Sequence, residues 1–152
     1  FSLSSIKENT ISDYSDNEYS RVNLRLKNFN DFENVQFHIK TKDKKYIIHA
    51  LSAGQFYEDM KKCYSKMKVM DKEIQNISSN VDRQDFGTQK HPADSESTYK
   101  SIYYFLPSGD GFRIACFDWS DKMTDKNNWI DHIKISAFTD DITTWFDEKA
   151  YK

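Results

Sequence analysis

The stretch YKSIYYFLPSGDGFRIACFDW, residues 99–119, decides how this chain folds. Two apolar runs flank Pro107-Ser108-Gly109-Asp110-Gly111, where Pro presets φ for a turn and Gly admits the positive φ that closes it, so the segment predicts a β-hairpin. In the second run Phe112, Ile114 and Cys116 alternate with Arg113, Ala115, Phe117 and Trp119. The first run carries Tyr99, Tyr103 and Phe105 on one phase and Ile102, Tyr104 and Leu106 on the other. Both faces of the hairpin are therefore partly apolar. An antiparallel sheet with one wet side shows a polar outer face, so the second face here needs a cover. The candidates are the N-terminal residues, the 77–98 segment, a second copy of the chain or a ligand.

Outward toward the C-terminus, 120–128 reads as a loop and 129–137 as a strand, with Ile133, Ile135 and Ala137 on one phase. A helix follows from Thr139 or Asp140. Asp140 and Asp141 complement its dipole, and Ile142, Trp145, Phe146 and Ala150 form its apolar face. Toward the N-terminus, 77–98 has little periodicity and many turn formers, which predicts a long exposed loop around Gly87 and Pro92. Before it Phe56, Met60, Cys63, Met67, Met70 and Ile74 recur at helical spacing. The lysines at 61, 62, 66, 68 and 72 fall largely off this stripe and read as a solvated face, with Glu58 and Asp59 placed to pair with Lys62.

Strands are expected at 21–27 (Val22, Leu24, Leu26), at 35–40 (Val35, Phe37, Ile39) and at 46–51, the last two joined as a hairpin across 41–45. Residues 1–20 are polar and form an N-terminal arm. The expectation is a single α+β domain over 21–152, ordered βββα-βββα. About six mostly antiparallel strands carry two amphipathic helices on one face, an arrangement that buries both stripes against one apolar surface.

Charge and composition narrow the function. The net charge is −2 and only four of the 22 basic residues are Arg, which leaves no field or set of planar forks suited to nucleic acid. No apolar run approaches the ~18 residues that cross a bilayer. The four histidines, His38, His49, His91 and His132, share no metal-ligand spacing and the cysteines form no CxxC pair, so neither a metal nor a cofactor is expected. Asp121 and Asp125 lack the pattern of a calcium loop. No Ser or Cys stands in a nucleophile elbow, and Ser108 is explained by its turn.

Cys63 lies on the helical stripe and Cys116 on the phase that faces the helices, which is what a bridge between them requires; two buried thiols are the alternative. A chain that starts at Phe1 is read as one whose leader has been removed, so the expected location is periplasmic or secreted. The leading functional expectation is a noncatalytic exported domain that binds a protein or small molecule, or a second copy as a homodimer, through an aromatic sheet surface of Tyr103, Tyr104, Phe117 and Trp119. A small hydrolase or isomerase using His49, His132, Asp118 and Asp131 is the first rival. A structural subunit is the second.

Overall fold

The computed structural model describes residues 11–25, 32, 34–78 and 80–150. Eight strands, β1 (Ile11–Asp13), β2 (Tyr19–Arg25), β3 (Asn34–Lys40), β4 (Ile48–Phe56), β5 (Asp82–His91), β6 (Asp94–Phe105), β7 (Gly111–Asp118) and β8 (His132–Phe138), form one sheet. Three helices, α1 (Met60–Ile77), α2 (Asp121–Asn127) and α3 (Asp140–Glu148), complete the described chain. The sheet order is β1-β2-β3-β4-β8-β7-β6-β5 and every pair is antiparallel. The α+β class is as expected, with eight strands in place of about six and three helices in place of two.

The hairpin at 99–119 forms as its turn chemistry requires. Gly109 takes φ 89°, and the amide of Leu106 donates to the carbonyl of Asp110 at 2.8 Å. α1 begins at Asp59, whose side chain caps the amide of Lys61 at 2.9 Å. Cys63 and Met67, its two buried residues, pack on Ile102, Tyr104, Ile114, Cys116 and Ile133. The sulfurs of Cys63 and Cys116 lie at disulfide distance, 2.06 Å.

The two long helices do not share a face, which corrects the expected packing. α1 covers Ile133 of β8, whereas α3 packs near Phe138 of β8 and Ala50 of β4. β8 is in regular register with both neighbours, so its odd and even residues point to opposite sides. A sheet with two partly apolar faces gives each helix its own. The α1 face continues under β2 and β3 as a separate cluster of Val22, Leu24, Phe37 and Ile39.

Three local readings are also corrected. The expected 77–98 loop contains β5 and the start of β6, joined through Pro92-Ala93. β5 is an edge strand with no fully buried residue, so it carries no hydrophobic period. A register break at Gly87, φ 63°, blurs the pattern further. The expected loop 120–128 holds α2, which Ser120 caps and Asn128 ends at φ 54°; with one buried residue, Met123, it shows no stripe to read. The second half of the arm joins the sheet, because β1 pairs with β2 through a turn at Asn17, φ 56°. Residues 1–10 of the arm, and Leu26 and Lys27 of the expected strand, lie outside the described residues.

α1 is tied to the sheet by one charged network. Arg83 of β5 donates from Nε and Nη2 to the two oxygens of Asp71 at 2.7 and 2.9 Å, and the Tyr104 hydroxyl donates to the same carboxylate at 2.6 Å. The Arg83 hydrogen bonds hold the Asp71 carboxyl down to about 2 against its partial burial. Replacing Tyr104 with Phe is expected to lower stability by about 1.5–2 kcal/mol, the usual worth of a hydrogen bond to a charged group, when read by urea unfolding at pH 7.

Candidate binding cleft

Among the described residues, the sheet face opposite α1 is covered at one end only. There α3 places Ile142 and Trp145 in a cluster with Tyr19 and Ala50, with Tyr14, Phe138 and Phe146 packed against it. Trp145 Nε1 donates to Asp16 Oδ2 at 2.7 Å, and Lys149 pairs with Glu18 at 2.9 Å. Beyond Phe146 the face opens into a cleft of about 380 Å³.

Strand register builds this cleft. One row across the sheet runs Gln36–Ser52–Ser136–Arg113–Tyr103, and the flanking rows hold Arg21–His38–Ala50–Phe138 and Gly54–Lys134–Ala115. Small residues, Ala50, Ser52 and Ser136, make a low floor, with the two serine hydroxyls 2.9 Å apart. Long side chains stand at the sides: Arg21, Gln36 and His38 on one, Tyr103 and Arg113 on the other, with Lys134 rising between. A smaller hollow of about 140 Å³ shares Gln36, Ser52 and Lys134 and extends toward Phe56 and His132.

The electrostatics of the cleft are one-sided. Burial, reinforced by Arg113 and Arg21, pushes the Lys134 amine down to about 8. Burial also lowers His38 to about 4, with Lys134 and Arg21 adding to it. The Arg113 guanidinium lies 5.4, 5.1 and 5.4 Å from the ring centroids of Tyr99, Tyr103 and Phe117, a cation-π cradle. Its Nε is buried without a hydrogen-bond partner, as is Nδ1 of His38, whose Nε2 meets the Tyr14 hydroxyl at 3.1 Å. Among the described residues no carboxylate pairs with Arg21, Arg113 or Lys134; the ion pairs belong to Arg83, Lys122 and Lys149. The charge of Asp147 on α3 reaches the cleft only as a minor influence on Tyr103.

Of the four residues expected on an aromatic surface, three share this face. Tyr103 walls the cleft. Phe117 stacks with Tyr99, Trp119 and His132 at 5.9, 5.8 and 4.9 Å, and Trp119 meets His91 and Trp129 at 4.5 and 4.4 Å. Tyr104 is a correction: it is fully buried under α1, because the next residue along a strand points to the other side. The cover sought for this face is α3 at one end, while β5 extends the sheet in its own plane.

The groups proposed for a hydrolase or isomerase do not assemble. His132 Nδ1 lies 2.7 Å from the Ile130 carbonyl, Asp131 accepts from the Trp119 amide at 2.7 Å, and His49 sits edge-on to Tyr19. Asp118 is raised by burial and by the nearby Asp131, but no two of the four share a hydrogen bond. Among the described residues no three His, Cys, Asp or Glu side chains are grouped to hold a metal ion.

The sequence does not show that Arg21, His38, Arg113 and Lys134 meet, because each stands on a separate strand. Lys134 stands on the polar phase between Ile133 and Ile135, as a solvated residue would, and only the central place of β8 in the sheet sets it apart. No family model matches the chain, and neither a curated protein nor a solved structure gives a match.

Proposed function

We propose that this chain is a noncatalytic binding domain that takes a small molecule in the open cleft of its aromatic sheet face. The observation that carries the reading is the shape: α3 reaches the cleft with Phe146 as one wall, and a hollow of about 380 Å³ remains over a floor of Ala50, Ser52 and Ser136. That size falls within the range of small-molecule sites, and polar groups converge on it from six strands. The aromatic strip of Phe117, Trp119 and Trp129 lengthens the surface that a larger ligand or a partner protein would meet.

The working location proposed is outside the cytoplasm, in the periplasm or beyond. The disulfide-distance pair Cys63–Cys116 and the absence, among the described residues, of a helix long and apolar enough to cross a membrane are compatible with export.

The test is to fill the cleft. Wild-type protein and a Ser136→Phe variant are each incubated with a deproteinised cell extract and measured by native mass spectrometry. A bound species below about 1 kDa, the scale of ligands that fit such pockets, should appear on the wild type and be missing from the variant, with both giving the same circular dichroism. A wild type that emerges bare, or a variant that binds equally well, rejects the cleft as a ligand site.

A further inference from the structure

We propose that the ligand carries an oxyanion, a carboxylate or a phosphate, held between Arg113, Lys134 and Arg21. This rests on the reading of the cleft as a ligand site and names the chemistry it selects. Three independent features point the same way.

The first is charge without a partner. Arg113, Lys134 and Arg21 come from β7, β8 and β2 to line one hollow, in a chain with 24 acidic residues available to neutralise them. None does so among the described residues, although Arg83, Lys122 and Lys149 all have a carboxylate within 4 Å. Cations that repel one another in a half-buried site raise the energy of the free protein, and an anion is what removes that penalty.

The second is preorganisation. The rings of Tyr99, Tyr103 and Phe117 hold the Arg113 guanidinium in place, so binding immobilises little that was free. Its buried Nε has no acceptor. Planar guanidinium groups pair in two-point fashion with carboxylate and phosphate oxygens, which suits the class named.

The third is the floor. The hydroxyls of Ser52 and Ser136 are 2.9 Å apart, and whichever one accepts from its neighbour has its own proton left to donate upward into the cleft. Gln36 on the wall adds a side-chain amide. These are the short polar contacts that orient a bound anion once charge has brought it in.

Inorganic phosphate and citrate are the probes, titrated at pH 7 against sodium chloride at matched ionic strength and followed by thermal unfolding and calorimetry. At least one should raise the melting temperature in a saturable way that chloride does not reproduce, and which of the two does so separates a phosphate site from a carboxylate site. Arg113→Met and Lys134→Met should each weaken that binding tenfold or more. Arg21→Met, at an exposed position where folding is not at stake, should weaken it several-fold, and Lys44→Met on a distant turn should leave it unchanged.

Failure of both anions to bind, or binding that survives all three cleft variants, overturns the inference. If the extract experiment meanwhile finds a neutral or cationic species in the cleft, the oxyanion falls and the binding domain stands. If the extract experiment is also blank, both fall together.

Discussion

Replacing Cys63 and Cys116 together by Ala is expected to lower stability by about 4 kcal/mol. The bridge spans a sequence separation of 53, and loop-closure entropy for a ring of that length comes to about 4 kcal/mol at 25 °C. Both cysteines are also fully buried in the cluster that joins α1 to β6, β7 and β8, so the link crosses the main packing contact of the fold. Urea unfolding of the oxidised wild type, the reduced wild type and the double variant measures the effect. A thiol titration of the wild type under denaturing conditions should find no free thiol; two free thiols, or a loss under about 1 kcal/mol, would contradict the bridge as a major support.

Lys134→Met is expected to act in the opposite direction and stabilise the protein at pH 7 by on the order of 2 kcal/mol. Burial and the neighbouring Arg113 and Arg21 lower this amine from an ordinary 10.5 to about 8, so its charged form is penalised in the folded state. The full gap, at about 1.4 kcal/mol per unit, sets an upper bound, and water reaching the half-buried side chain reduces it. For a chain of this length the gain corresponds to roughly 4–8 °C in melting temperature.

The sign in pH follows directly. Below about pH 8 the amine is charged in both states and the penalty is complete. From about 8 to 10.5 the unfolded chain holds the proton that the folded chain has released, so wild-type stability rises with pH through that window. The Met variant lacks the rise. A variant no more stable than wild type at pH 7, with the same pH profile above 8, would mean that the Lys134 charge is already compensated. Stability lost to a binding group is the ordinary consequence of placing charge where a ligand is to neutralise it.

Much of the local structure was legible in the sequence. The 99–119 hairpin was readable because Pro107 and Gly109 impose backbone angles whatever surrounds them, and α1 was readable because its stripe of Cys63 and Met67 has a period no strand shares. Edge strand β5 was not, because it is held by backbone pairing to β6 and buries almost no side chain, so no periodic trace remains. α2 escaped for the related reason that a seven-residue helix with one buried Met has no stripe, although Ser120 and Asn128 mark its ends. Of the expected aromatic surface, Tyr103, Phe117 and Trp119 share the face opposite α1, while Tyr104 shows how a one-residue difference exchanges a surface position for a core one.

By itself the amino-acid pattern determined the α+β class, the antiparallel hairpins, the helical stripe that carries Cys63 and the two-sided apolar character of the strands around Cys116. Only the tertiary structure decided that α1 and α3 take opposite faces and that Arg21, His38, Arg113 and Lys134 meet over one hollow. Periodicity reports which residues of a single strand share a side, and that is a local property of the backbone. Which strands become neighbours depends on pairings such as Ser52 with Ser136, 84 residues apart, and those are selected by the packing of the whole sheet.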